Sequence, residues 1–351
     1  MARKKALVVG GLGVIGRNLI NHMAAEDDWD IVAVSRRAPD KEMAAKAEFI
    51  SCDLLDMGQA EAKLAHLDDV THIFCCALYG GIDATTTEQN RTLVANPVTL
   101  MSSVSNSLER VVLQEGSKAY GRQLGPFKTP AKESDSRHMP PNFYYEQEDF
   151  LIDFQNGKEW TWAVLRPEAV CGFAVGNPMN LIMCFGTYAA ISKELGMPLK
   201  YPGDLRGFEA INQVTDSGLL ARMTMWSATS PNAANEIFNI TNGDGFRYVN
   251  VWSDWAAALG MEIGMPQRII SAEVMADKGP VWDRIVEKHG LMKLSYEQTA
   301  GWPYFDFNMD TSWDVLMSDA KRIDRGFTEM VDTEKMFLDL FAEFRRRKVL
   351  P

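Results

Sequence analysis

Long apolar runs are missing from this chain: none approaches the roughly 18 to 20 residues that a membrane-spanning helix needs, so no membrane association is expected. Basic clusters are nearly as scarce. Only Arg345 to Lys348 gathers positive charge, and it reads as decoration on the end of a last helix. With a net charge of -11 and no other basic stripe, a nucleic-acid partner is not expected either, and any anionic ligand must be bound locally. Cysteine is sparse and odd in number: Cys52, Cys75, Cys76, Cys171 and Cys184 form no CxxC pair. That pattern argues against a disulfide framework or a metal site and for buried reduced thiols. The opening "MARKKALVVGG" passes from a basic tip into a strand pattern without a cleavage site, which gives a cytoplasmic expectation. Internal repeats and low-complexity tracts are lacking too.

What is present is enough apolar sequence, 46% of 351 residues, to build the core of one large domain or two closely joined ones. It starts with a strand pattern, Ala6 to Val9, followed by Gly10, Gly13 and Gly16, a helical pattern through Leu19, Ile20 and Met23, and a second strand, Ile31 to Val34. Glycines at a strand-to-helix turn let the backbone approach a pyrophosphate, which the free N–H groups and dipole of the helix N-terminus then hold. The spacing is GxxGxxG, and its strand-turn-helix-strand setting points to dinucleotide binding. An acidic residue after the second strand would suit the ribose hydroxyl of NAD. Here stand Ser35, Arg36 and Arg37, donors suited to the 2′-phosphate of NADP, so the expected cofactor is NADPH.

The alternation of strand and helix continues. "AEFISCDLLD" predicts a third strand ending at Asp53, "VTHIFCCAL" a fourth, Arg110 to Gln114 a fifth and Thr161 to Leu165 a sixth. The fold class that follows is α/β: a Rossmann-type, doubly wound parallel sheet with a smaller, mainly helical C-terminal cap that binds substrate. Returning strand and helix patterns give interleaved domains. Residues 1–175 with a segment at about 211–242 form the dinucleotide-binding domain, and 176–210 with 243–351 form the cap. Ligands of such sheets lie beyond the carboxyl ends of the strands, where Lys118 and the loop "RPEAVCG" fall.

Extended short-chain dehydrogenases activate a tyrosine with a lysine one helical turn later, and no YxxxK exists here. In "NFYYEQED", Tyr144 is followed at that spacing by Glu148 and Tyr145 by Asp149, carboxylates that would raise a phenol pKa. A cation from elsewhere is required. By these residues the chain resembles the progesterone 5β-reductase and iridoid synthase-like reductases, atypical members of the extended short-chain dehydrogenase superfamily. That family carries a lysine in LQTGTKHY and a tyrosine in NFYYxxED; this chain has "LQEGSKAY", Leu113 to Tyr120, and a full match to the second. Likeness extends to the glycine turn, "SRR", the "RPxxVxGF" loop at Arg166 to Phe173, "NEIFNITNGD" at Asn235 and the closing "KVLP".

The resemblance implies a catalytic Tyr144 assisted by Lys118. It also implies 1,4-reduction of α,β-unsaturated ketones or aldehydes, with hydride passing from NADPH to the β-carbon and Tyr144 stabilising the enolate oxygen. For the cofactor it implies Gly13, Val14 and Ile15 at the pyrophosphate and Arg36 with Arg37 at the 2′-phosphate. Asp53 and Leu54 would meet the adenine, Ala77 and Leu78 the fourth-strand end, Gln114 the ribose side, and Val170 with Asn177, Pro178 and Met179 the nicotinamide. The expected partner is a small hydrophobic enone or enal, and a homodimer is common in the family. Two departures fall where substrate is expected: "KAYGRQLGPFK" lengthens the loop before Phe127, and the family's TW becomes Ala77 and Leu78. A carbonyl reductase or epimerase on the same scaffold, and a non-catalytic NADP-binding sensor, stay open as alternatives. The acids Glu146, Glu148 and Asp149 read as a solvated helix face, and the methionines and aromatics of the C-terminal half as core.

Overall fold

The computed structural model describes residues 3–26, 28–80 and 86–351. Its strands are β1 (Lys4–Val9), β2 (Trp29–Val34), β3 (Glu48–Ile50), β4 (His72–Cys75), β5 (Arg110–Gln114), β6 (Thr161–Pro167), β7 (Val170–Cys171), β8 (Ile211–Asn212), β9 (Thr215–Asp216), β10 (Glu236–Ile240) and β11 (Phe246–Arg247). Seven of them form one parallel sheet in the order β10-β6-β5-β4-β1-β2-β3. The chain winds from β1 outward to β3, then crosses to β4 on the other side of β1, so a crevice opens where the winding reverses.

Because successive side chains of a strand point to opposite faces, β1 feeds two cores at once. Ala6 and Val8 pack with Leu19, Ile20 and Met23 of the helix Val14–Met23 and with Leu220 and Met223 of Ser217–Thr229. Leu7 and Val9 pack on the opposite side with Val94, Val98 and Met101 of Thr87–Val104 and with Leu151 of Phe143–Gln155. Helices on both faces explain why β1 and β4 to β6 read as almost unbroken apolar runs.

A third core belongs to the C-terminal helices, where Phe185, Trp252, Trp255, Phe337 and Phe341 interlock, with Trp255 4.4 Å from Phe337 between ring centres. The segment Ser217–Thr229 and β10 return to the sheet, while β7 with β9 and β8 with β11 make small two-stranded pairs. No helix among the described residues is long and apolar enough to cross a membrane. All five cysteines are free, four of them buried and Cys76 half-buried.

Strand ends differ from expectation: β6 runs on past Leu165 to Pro167, and β3 falls short of Asp53. β3 stops at Ile50 because Asp53 is turned out of the ladder: its Oδ1 accepts the Leu55 N–H at 3.1 Å, and its own N–H donates to Gln59 Oε1 at 2.8 Å. The next helix is capped by Asp56, whose carboxylate accepts from the Gln59 N–H.

Candidate active site

A cleft of about 490 Å³ runs across the carboxyl ends of β1, β2, β4, β5 and β6. At its centre is the glycine turn. Gly10 has φ +84°, and a Cβ there would sit 2.8 Å from the backbone of Ala77, so only glycine lets β1 and β4 end this close together. Gly13 caps the helix Val14–Met23, whose first turn carries no acidic side chain to compete for its N–H groups. Gly16 does not line the cleft. A Cβ on it would meet the Gly10 carbonyl oxygen at 2.4 Å, so its smallness seats the helix against the turn.

Of the remaining residues marked by the sequence, Val14, Ile15, Ser35, Arg36, Arg37, Asp53, Leu54, Ala77, Leu78, Lys118, Tyr144, Val170, Asn177, Pro178 and Met179 all border this cleft. Gln114 does not. Its side chain points through the sheet to donate to Thr224 Oγ1 at 3.0 Å, because consecutive strand residues face opposite sides and Glu115 takes the cleft side. The two arginines also differ. Arg37 donates to the carbonyls of Gly176 and Leu12, bolting the 173–179 loop to the glycine turn, whereas the exposed Arg36 lies over the Tyr79 ring at 5.9 Å.

On the other side of the crevice, the helix Phe143–Gln155 starts at Asn142, whose Oδ1 accepts the Tyr144 N–H at 3.1 Å. Its Nδ2 donates to the Lys118 carbonyl at 2.8 Å. One amide therefore ties the turn Ser117–Tyr120 to the first residues of the helix, a link that the Asn of "NFYY" signals only as an N-cap. Lys118 Nζ lies 4.3 Å from the Phe143 ring centre and 5.5 Å from that of Tyr144. The two tyrosines diverge: Tyr145 is buried, donating to the Ala119 carbonyl at 2.8 Å and accepting the His138 N–H at 2.9 Å. Tyr144 faces the cleft, with Gly116 beside its hydroxyl; a Cβ there would stand 3.0 Å from that oxygen. Burial, then the Glu115 and Glu168 carboxylates, push the Tyr144 phenol well above its ordinary pKa. The Lys118 ammonium is held down to about 8 by burial and by the charge of Arg122.

Behind the tyrosine lies a charge network that corrects the expectation of a solvated acidic face. Glu148 is buried, with Oε2 accepting from Arg166 at 2.5 Å and Oε1 from Arg137 at 2.9 Å; Glu146 and Asp149 are exposed. Arg166 also donates to Glu115 at 2.9 Å and to the Tyr120 hydroxyl at 3.2 Å. The sequence carried the amphipathic pattern but not the cation that drew one acid inward. Two further cleft residues escaped the sequence reading, Arg122 in the lengthened loop and Glu168 after β6, which form a buried ion pair.

The family profile described as a PRISE-like Rossmann-fold domain matches residues 6–351. The chain belongs to this family. Among curated proteins, an (S)-8-oxocitronellyl enol synthase of Nepeta cataria is 32% identical over 99% of this chain and 93% of its own length. The short chain dehydrogenase gsfE of Penicillium aethiopicum is 31% identical over 99% of each. PRISE membership makes the protein an oxidoreductase of the short-chain dehydrogenase/reductase superfamily. Solved structures share the fold at low identity. A UDP-glucose 4-epimerase from Thermotoga maritima aligns over 97% of this chain and 99% of that one, with TM-score 0.69 and 16% identity. The Bordetella bronchiseptica enzyme WbmG in complex with NAD gives 0.69 and 16%, over 99% and 96%.

Proposed function

We propose that the protein is an NADPH-dependent enone reductase that reduces the C=C bond of α,β-unsaturated ketones or aldehydes, with Tyr144 and Lys118 as its catalytic pair. The observation that carries the proposal is that a neutral phenol and a cation from another element open on the same cleft as the glycine turn. The dinucleotide fits what is there. Gly10 and Gly13 leave backbone room at an uncontested helix N-terminus, Arg36 offers a guanidinium beyond β2 for a 2′-phosphate, and relatives in the superfamily fold bind NAD. When bound, the reduced cofactor supplies hydride to the substrate β-carbon.

The residues do the rest. Tyr144 stays protonated across the neutral range, so it donates its O–H to the substrate carbonyl and stabilises the negative charge that grows on that oxygen. The enolate takes its α-carbon proton from water, so proton transfer out of the phenol is not demanded, which is why a carboxylate at the YxxxK position is tolerated. Lys118 adds positive charge beside the ring, and Asn142 fixes the register between the two. Ala77, Leu78, Val170 and Met179 give the cleft the apolar walls that a hydrophobic enone needs.

The test is NADPH oxidation with 2-cyclohexen-1-one, comparing wild type, Tyr144→Phe and Lys118→Ala, with analysis of the ring product. Saturated ketone, with turnover falling in both variants, is the expected outcome. An allylic alcohol, or no turnover at all, would overturn the proposal in favour of a carbonyl reductase or a non-catalytic binder.

A further inference from the structure

The lengthened loop after Tyr120 brings a charge into the cleft. Gly121 (φ +78°) and Gly125 (φ +133°) bracket the short turn Arg122–Leu124, and Gly121 lies so close under the His138 ring that a Cβ would stand 2.7 Å from it. The chain therefore folds back. Leu124 is left exposed while Arg122 is turned inward and becomes 95% buried, with only 5% of its surface exposed.

There the guanidinium meets three groups, and a fourth residue, Tyr304, borders the same cleft. Nη1 donates to Glu168 Oε1, Nη2 donates to Asn308 Oδ1 at 3.3 Å, and Cζ lies 4.5 Å from the Phe307 ring centre. Asn308 is itself held by donating to the Tyr304 carbonyl at 2.8 Å. Glu168 is 2% exposed. Yet the pair is only half satisfied: Arg122 Nε and Glu168 Oε2 are buried without a protein hydrogen-bond partner.

A buried charge pair costs desolvation, and it costs more when a donor and an acceptor are left over. A ligand that supplied both partners would recover that loss. Its chemistry is constrained by the pair's neutrality. A carboxylate would face the unpaired oxygen of Glu168, and an ammonium would face the guanidinium of Arg122. A hydroxyl suits both, donating its hydrogen to the carboxylate while accepting from the guanidinium N–H. The pair is also within electrostatic reach of the reacting end, since Arg122 acts on Lys118 and Glu168 on Tyr144.

We infer that Arg122 and Glu168 form a hydroxyl-recognition subsite, and that the preferred substrate is an enone or enal bearing an alcohol or phenol remote from its carbonyl. This rests on the enone-reductase proposal and narrows its substrate class. Phe307 and Tyr304 supply flat walls beside the pair, which suits a phenol in particular.

The experiment compares kcat/KM for benzalacetone and 4-hydroxybenzalacetone with NADPH. A site built to bond a hydroxyl rejects the analogue that lacks it, so wild type is expected to favour the phenol by at least about tenfold. That ratio falls toward one in Arg122→Met/Glu168→Met, and in Glu168→Gln, which keeps the volume and is the safer fold. Equal kcat/KM in wild type, or a preference that survives in Glu168→Gln, overturns the subsite whether or not the double variant folds. If wild type reduces neither compound nor 2-cyclohexen-1-one, the enone-reductase proposal fails separately. Binding of the two corresponding saturated ketones to the NADP-loaded protein then decides the subsite, with tighter binding of the phenol upholding it and equal binding ending it.

Discussion

Glu148, one helical turn beyond Tyr144, accepts a hydrogen bond from Arg166 at 2.5 Å, and both side chains are buried. The position at which related dehydrogenases carry a lysine is thus occupied by a carboxylate with its own counter-charges, Arg166 and Arg137. Removing that anion takes from the buried Arg166 guanidinium one of its two carboxylate partners and leaves its Nη2 unpaired in the interior. Glu148→Ala is expected to cost about 3–5 kcal/mol, the range for breaking a buried pair from one side. Urea unfolding of the two proteins measures it, and a change under about 1 kcal/mol would mean that the network is incidental.

Asn142 joins Lys118 to the helix that carries Tyr144. Losing an N-cap costs about 1 kcal/mol, a modest effect on folding, but misplacing the two groups proposed as catalytic is costlier to rate. Asn142→Ala is expected to lower kcat by roughly tenfold or more with little change in KM for NADPH. A drop confined to thermal stability, with kcat intact, would reduce Asn142 to a cap.

Arg36 and Arg37 divide their work. Arg37 already holds two carbonyls, while the exposed Arg36 rests only against the Tyr79 ring among the described residues and is the better placed to engage a 2′-phosphate. A charge-assisted bond contributes about 1.5–3 kcal/mol, so Arg36→Ala should raise KM for NADPH by about 10- to 100-fold and leave KM for NADH nearly unchanged. Equal effects on both cofactors would refute the assignment.

Burial first, then the charge of Arg122, holds the Lys118 ammonium at about 8, below its ordinary 10.5. A proposed requirement for charged Lys118 makes kcat/KM fall as pH rises through about 8. Taking away a neighbouring positive charge favours the ammonium, so Arg122→Met should move that alkaline limb upward. A limb that stays in place when kcat/KM is followed from pH 6 to 10 in both proteins would detach it from Lys118.

Glu115 is pushed up from 4.5 to about 8, chiefly by burial, with Arg166 opposing. A carboxyl whose folded pKa is raised lends stability that is complete below its unfolded value and lost as pH rises through the folded one. Between about pH 5 and 8 the wild type should therefore lose stability that Glu115→Gln keeps. Thermal melts across that window check this, and parallel curves for the two proteins would contradict it.

Much of the molecule is written locally. The glycine turn, the donors after β2 and the buried parallel strands are set by residues a few positions apart, because steric freedom, helix capping and strand alternation act over a few residues. "LQEGSKAY" and "NFYYEQED" announce a cation and a phenol on the same local terms.

Tertiary structure decided what those terms leave open. Sequence spacing tells which residues share a helix face, but not which strand end a distant loop meets. Packing of the turn after β5 against the start of the helix Phe143–Gln155 brought Lys118 against Phe143 and Tyr144. The assembled fold also supplied Arg166, which drew Glu148 out of solvent, and it folded the lengthened loop so that Arg122 met Glu168. Each of these contacts joins charges or rings from separate segments, and a buried charge settles only where the assembled fold provides its partner.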